Sequence, residues 1–426
     1  MNNQFLTAAT AEGLSDQEIK AALKASLDSL GELKKVLIIP PDITRLNAHA
    51  GPITCMLWDL LPDAEIDIMP ALGTHMPMTK EEVDFMFPGL PFERFLEHDW
   101  RNDIVKIGEV PADFVSEVSE ERMQQSIDVE LNKRILDPSY DLIISVGQVV
   151  PHEVVGMANY SKNLFVGCGG NSMINSSHYL GALYGMERMM GRENTPVRAV
   201  FDYAEEHFIK DLPVMYILTV TTTDRNDIVH VQSLALGRER ELFSKSCVES
   251  QKHNLIFLDE PIKKAVVYLK PEEFRTTWVG NKSIYRMRMA MADEGELIIL
   301  APGVHKFGED DGNDVLIAKY GYVGYQRVAE LVAKNDDLKA GLGVAAHLIH
   351  GSSEGRFSIT YAPGHMTKEQ IESVNFNYMP YEEAAAKYNP AVLVDGYNNV
   401  NGEKVFYVSN PALGLWAYKE TFYKQI

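Results

Sequence analysis

Cysteine, positive charge and long apolar runs are what this 426-residue sequence has least of. Its three cysteines, Cys55, Cys168 and Cys247, stand far apart and in no motif. That excludes a disulfide framework and a cysteine-built zinc centre, and it fits a reducing compartment. Lysine and arginine total 40 against 60 aspartates and glutamates, a net charge of −20. Duplex binding depends on neutralising phosphates, so no nucleic acid partner is expected. An anionic ligand must instead meet locally placed cations, because the overall field repels it. No stretch approaches the ~18 uncharged apolar residues of a membrane span. The start, Met1-Asn-Asn-Gln-Phe-Leu-Thr, lacks the basic region and apolar run of a signal peptide. The expectation is a soluble, cytoplasmic chain with no membrane partner. Neither G-x-G-x-x-G nor a Walker A sequence is present, so dinucleotide and P-loop readings lack their fingerprint.

What is present is ordinary globular protein, 46% hydrophobic and 23% charged, with length for two or three domains at roughly 100–200 residues each. Ser15-Asp-Gln-Glu18 is a capping-box pattern, and Ile19, Leu23, Leu27 and Leu30 share one face, which predicts a helix from Ser15 to Leu33. Lys35–Ile39 is a short apolar run stopped by Pro40-Pro41, the pattern of a buried strand delivering a loop. The pattern recurs at 64–69, leading to Gly73-Thr-His75, and at 140–146, leading to Pro151-His152. Arg198–Phe201 and Met215–Val220 are further strand candidates, and Lys80–Met86 is helical. A second block offers strands at Ala265–Leu269, Glu296–Leu300 and Ala391–Val394, separated by helices at Val315–Lys334 and Tyr381–Lys387. Strands alternating with helices predict an α/β fold with mostly parallel sheets in two domains, residues 1–255 and 256–426. Ligands bind such sheets beyond the carboxyl ends of the strands, where the loops named above sit.

Of twelve histidines, His98, His207 and His253 lie in polar, surface-like contexts. His75, His152 and His178 fall on predicted loops, where α/β enzymes keep their reactive groups. In Asp42-Ile-Thr44-Arg45, Asp42 reads either as the cap of a turn or, by the i, i+3 spacing, as the partner of Arg45 that orients the guanidinium toward a ligand carboxylate. Gly167-Cys-Gly169-Gly170, followed by small hydroxyl residues and a helix start, is a candidate phosphate cradle. His347 and His350 read either as core-facing residues at a strand end or as part of an enlarged pocket.

Pro41-Asp-x-Thr-Arg45, Gly73-Thr-His75 with Pro77, and Pro151-His152 with Lys162 ten residues on and His178 sixteen after that, together resemble lactate racemase and its relatives. That family's members are two-domain α/β isomerases with the active site in the cleft between domains. They use a nickel-pincer nucleotide, pyridinium-3-thioamide-5-thiocarboxylic acid mononucleotide, tethered to a lysine and holding Ni through two sulfurs, a ring carbon and one histidine. The resemblance implies Lys162 as tether, with Thr44, Gly167, Gly169 and Gly170 around the cofactor, and His178 as nickel ligand. It implies His75 and His152 as the acid/base pair, and Arg45, supported by Asp42, as the grip on a substrate carboxylate. A second substrate cation falls on Lys282, with Arg288 as its competitor. It also implies enzymes of cofactor biosynthesis as partners.

The implied reaction is racemisation or epimerisation of a 2-hydroxy acid. Removing the α-hydrogen as hydride avoids a carbanion beside a carboxylate and passes through a planar 2-keto acid, while a histidine takes the hydroxyl proton. Soft sulfur and imidazole donors suit Ni. The sequence departs from the family at Met76, at Asn159-Tyr160, where a glycine-rich run is common, and at Ser177, where Asn is usual. These changes bear on substrate and make a larger or sugar acid, epimerised at C2, the alternative to lactate. Two readings of other classes are a metal hydrolase ligated by His75, His152 and His178, and a non-catalytic hydroxy- or keto-acid binding protein. The first leaves Lys162 without a role, and the second leaves both Lys162 and His178 without one.

Overall fold

The computed structural model describes residues 2–224, 226 and 228–424. Its internal contacts group into two units, Met1–Ser177 with Met190–Asn254, and His178–Met189 with Leu255–Ile426.

The first unit is built on a six-stranded sheet of β1 (Gln4–Thr7), β2 (Lys35–Ile39), β3 (Glu65–Ile68), β4 (Leu142–Gln148), β5 (Val214–Thr223) and β6 (Val229–Gly237). The order across the sheet is β1-β6-β5-β4-β2-β3. From β5 to β3 all neighbours are parallel, whereas β6 and β1 pair antiparallel. Val36 to Ile39 are fully buried, as a parallel strand covered on both faces requires. The helix Asp16–Asp28 has the expected capping box of Ser15 and Glu18 and buries Ile19, Leu23 and Leu27. It stops at Ser29, short of the predicted Leu33, and Gly31 takes φ +81° just beyond. Because β3 is added on one side of β2 and β4 on the other, the strand order reverses between β2 and β4. That is the switch point at which open α/β sheets leave a crevice.

The second unit repeats the theme with β7 (Ile262–Tyr268), β8 (Met291–Ala301), β9 (Phe357–Pro363), β10 (Asn377–Tyr378), β11 (Gly396–Val400) and β12 (Glu403–Val408). The order is β10-β9-β8-β7-β12-β11, parallel throughout except for the β11–β12 pair. The α/β class with mostly parallel sheets is therefore as the sequence predicts. Among the described residues no helix is long and apolar enough to cross a membrane.

Several local expectations are corrected. Arg198–Phe201 is not a strand but part of the helix Pro196–Phe208, which Thr195 caps by accepting the Arg198 N–H at 3.1 Å, with Pro196 in its first turn. Ala391–Val394 lies outside any strand, with Val392 and Val394 72% and 67% exposed, and the strand begins at Gly396. The helix expected over Val315–Lys334 is two, Asp311–Tyr320 and Tyr325–Lys334, parted where Gly321 and Gly324 take φ +68° and +83°. His347 and His350 are not at a strand end; both are buried on the helix Leu342–His350. His178 is on no loop but within the helix Asn171–Tyr184. His98 is not a surface residue: it is buried, its Nδ1 lies 3.0 Å from the Asn132 amide, and burial pushes its pKa down to about 4.

Candidate functional site

In the first unit, hydrogen bonds knit three loops at the carboxyl edge of the sheet. Ala71 N–H donates to the Pro40 carbonyl at 2.8 Å, and Gly73 N–H to the Gly167 carbonyl at 2.8 Å. The Asn163 side chain donates to the Ile39 carbonyl at 3.2 Å and to Ser145 Oγ at 2.9 Å. Ile39 ends β2 and pairs with Ser145 of β4, so Asn163 spans the switch point. Lys162, its neighbour on the short helix Ser161–Phe165, is thereby placed at the crevice.

Lys162 is partly buried. Burial, helped by the charges of Arg45 and Arg198 and opposed by Glu153 and Asp42, pushes its pKa down to about 8. An amine in that range is neutral in roughly a tenth to a fifth of molecules near physiological pH, far more than an ordinary lysine, and so more nucleophilic. This fits a lysine that must be deprotonated to take a covalent tether.

Asp42 does not pair with Arg45 as the spacing predicts. It caps the turn Ile43–Ala48, accepting from Thr44 N–H at 3.1 Å and Thr44 Oγ1 at 2.5 Å, while its other oxygen stands 2.6 Å from His75 Nδ1. Burial raises the Asp42 carboxyl, but hydrogen bonds from His75 and Thr44 and the charges of His75 and Arg45 outweigh it, and the net shift is downward. Asp42 is therefore an anion, and His75 donates from Nδ1. That leaves Nε2 as the acceptor on a ring whose side chain is 52% exposed. The Thr44 hydroxyl, expected at a cofactor, is committed to Asp42. Arg45 is exposed, its guanidinium makes only a 3.4 Å contact to the Thr44 carbonyl, and no carboxylate lies within ion-pair distance among the described residues.

His152 sits in a two-stranded turn, Pro151–His152 against Gly156–Met157. Its Nδ1 accepts the Val154 N–H at 3.1 Å, so the neutral ring carries its proton on Nε2. His75 and His152 thus hold opposite tautomers, one with Nε2 as a hydrogen-bond acceptor and the other with Nε2–H as a donor.

The glycine segment fits its predicted role poorly. A Cβ on Gly167 would meet the Asn163 carbonyl at 2.4 Å, on Gly169 the Phe165 carbonyl at 1.8 Å, and on Gly170 the Glu130 carboxylate at 2.4 Å. Protein atoms, not a vacant cradle, occupy the space the glycines leave. Glu130 also accepts the Ser172 N–H at 2.9 Å, taking the anion position at the start of the helix Asn171–Tyr184.

The second unit holds His178, on the helix just named, and Lys282, which opens the helix Lys282–Tyr285. The Lys282 ammonium is 6.0 Å from the Phe274 ring centre, and the preceding Asn281 accepts from the Tyr361 hydroxyl at 2.8 Å. Arg288 is already consumed: 1% exposed, it donates from Nε to Glu187 at 2.7 Å. Of the two candidate cations on this segment, Arg288 is thus engaged in an ion pair within the protein. His347 is held by the Tyr322 hydroxyl at 3.0 Å and stacked on Trp278, and burial pushes its pKa down to about 3. No group of three or more His, Cys, Asp or Glu side chains able to hold a metal occurs among the described residues.

Sequence reasoning did not single out Glu130, Asn163 or Arg198. Asn163 is flagged by nothing except its place beside Lys162, and Arg198 was hidden in a stretch that reads as a strand.

Residues 6–191 match the lactate racemase N-terminal domain family. Among solved structures the chain is similar to a Thermotoga maritima protein, 24% identical with a TM-score of 0.74, over 89% of this chain and 94% of that one. It is also similar to the lactate racemase apoprotein of Thermoanaerobacterium thermosaccharolyticum, 17% identical with a TM-score of 0.70, over 95% and 93%. No curated protein matches the sequence.

Proposed function

We propose, from the premise that this chain belongs to the lactate racemase family through residues 6–191, that it is an isomerase inverting C2 of a 2-hydroxy acid with a nickel-pincer nucleotide tethered to Lys162. The observation that carries this is the partly buried amine of Lys162, its pKa lowered to about 8, at the switch point of the first sheet. The fit is selective. Lys162 suits a covalent tether, and a single histidine, His178, suits a site whose other donors come from the cofactor. The glycine segment does not suit a phosphate cradle, so the nucleotide phosphate is assigned to other groups.

When bound, such a cofactor supplies an acceptor and donor for the C2 hydrogen as hydride. The chain's own residues do the rest. Arg45 binds the substrate carboxylate with its unpaired guanidinium, and Lys282 is the second cation. His75 Nε2 takes the hydroxyl proton as C2 becomes a planar keto carbon, with Asp42 stabilising the imidazolium that results. When the carbonyl is reduced to the other enantiomer, His152 returns a proton from its imidazolium form and reverts to the neutral ring, while His75 releases its proton to solvent. The reverse reaction exchanges the roles of the two histidines. The alternative substrate, a larger or sugar acid, keeps the same residues in the same roles.

The test is intact mass and nickel content of the chain co-produced with the enzymes that make the cofactor. A mass increment lost in Lys162→Ala, with nickel bound, supports the proposal. Unmodified protein with background nickel rejects it. Inversion in deuterated solvent with little label at Cα supports hydride transfer, whereas full exchange at Cα points to proton abstraction.

A further inference from the structure

Lys162 is delivered by a backbone that glycine would form most easily. Asn159 and Tyr160 are consecutive non-glycine residues at φ +66° and +56°, a conformation that persists only where the surroundings over-determine it. Arg198 is the centre of those surroundings. Its side chain is 1% exposed. From Nη1 it donates to Ser161 Oγ at 2.9 Å, and from Nη2 to the carbonyls of Met157 at 2.9 Å and Asn159 at 3.1 Å. The guanidinium thus grips every second residue of the segment that ends at Lys162.

No carboxylate lies within ion-pair distance of Arg198 among the described residues. A buried guanidinium without a counter-ion is costly unless other groups satisfy it. Here carbonyls, a hydroxyl, the Phe243 ring 4.3 Å away and the charge of Asp202 support it, while Nε has no hydrogen-bond partner. The rest of the segment is fitted around it. Asn159 Oδ1 accepts the Tyr160 N–H at 2.7 Å, and its amide nitrogen occupies the space that a Cβ on Gly147 would need. The Tyr160 ring packs on Tyr216 and Phe243, and its hydroxyl donates to the Arg238 carbonyl at 3.1 Å.

We propose that Arg198 is a positioning residue for Lys162: by clamping Met157, Asn159 and Ser161 it fixes the strained turn and keeps the Lys162 amine reactive. This deepens the tether reading of Lys162, and the coupling itself is measurable without the cofactor. Burial, Arg45 and Arg198 disfavour the Lys162 charge, whereas Glu153 and Asp42 favour it. Losing Arg198 removes a neighbouring cation and lets the turn relax toward water, and both changes raise the amine's pKa.

The experiment is pulse acetylation of the full chain, made without cofactor, from neutral to alkaline pH. Lys162 occupancy is read by peptide mass spectrometry, with exposed lysines as internal standards and circular dichroism as the check of fold. Wild type is expected to reach half-maximal labelling near pH 8. Arg198→Met shifts that midpoint upward by about one unit, a roughly tenfold slower labelling at neutral pH. Arg198→Lys, which keeps the charge but loses the fork, and Ser161→Ala, which removes one acceptor and no charge, give smaller shifts in the same direction. A folded Arg198→Met with the wild-type profile overturns the proposal. If Arg198→Met does not fold, wild-type profiles in both milder variants overturn it. A midpoint near pH 8 in a chain that never acquires a nucleotide rejects the tether reading alone.

Discussion

His75 Nδ1 stands 2.6 Å from Asp42 Oδ2, thirty-three residues earlier in the chain. The carboxylate comes from the turn after β2 and the imidazole from the loop after β3. The pair is thus made by two neighbouring parallel strands ending side by side.

Replacing Asp42 with Asn should lower turnover by roughly ten- to a thousandfold, because the ring loses the partner that fixes its tautomer and stabilises its charged form. The same substitution has a signature in stability. The carboxyl is held below its ordinary value in the folded chain. Its contribution is therefore full above the unfolded pKa of ~3.9 and is lost as pH falls through the lower folded value. Denaturant melts of wild type and Asp42→Asn should converge as the solution is acidified past that point.

Lys162→Met should make the cofactor-free chain more stable at neutral pH, by about 1–3 kcal/mol after allowance for partial exposure. The folded amine titrates near 8 and the unfolded one near ~10.4, so the unfolded chain binds more protons between those values and wild-type stability rises with pH there. The advantage of the variant should be full below pH 8, fade through that window and vanish above it. Chemical denaturation across the range reads this directly.

Gly170→Ala should lower the melting temperature of the cofactor-free chain, because the new Cβ would meet Glu130 at 2.4 Å and Ile104 at 2.8 Å. A cost of about 1–3 kcal/mol is expected for overpacking of this kind. An alanine variant with unchanged melting but weakened nucleotide binding would instead restore the cradle reading.

Arg288→Met should destabilise the chain by about 1–3 kcal/mol, since it leaves Glu187 with only the longer contact to Arg356 at 3.4 Å. Lys282→Met should affect substrate affinity far more than melting. Thermal scans and steady-state kinetics on the two variants separate a structural cation from a binding one.

Much of the fold was legible because parallel strands announce themselves. Val36–Ile39 and Leu142–Val146 are apolar runs with no alternation, and Pro40 stops the first. The misreadings share a cause: short apolar stretches carry no period of their own. Val-Arg-Ala-Val-Phe at 197–201 reads as strand by composition, and the decisive signal was Thr195-Pro196, a cap followed by a first-turn proline. Ala391–Val394 has strand-like residues but no sheet edge to join, and its valines stay in water. In the site, the residue types and their order were readable, but their partners were not. Asp42 lies beside Arg45 in sequence and binds His75 in space, and that choice is made by the adjacency of β2 and β3. The glycines looked like a ligand's cradle because close packing against backbone and close approach of a phosphate demand the same missing Cβ.

The second unit is discontinuous in sequence, since it takes in His178–Met189 as well as Leu255 onward. Within it, Glu187 supplies the only carboxylate that Arg288 meets at ion-pair distance among the described residues. A gene fragment starting at Leu255 would therefore encode a buried arginine with its counter-charge left behind on the other piece. A workable dissection of this chain therefore needs two cuts and a splice.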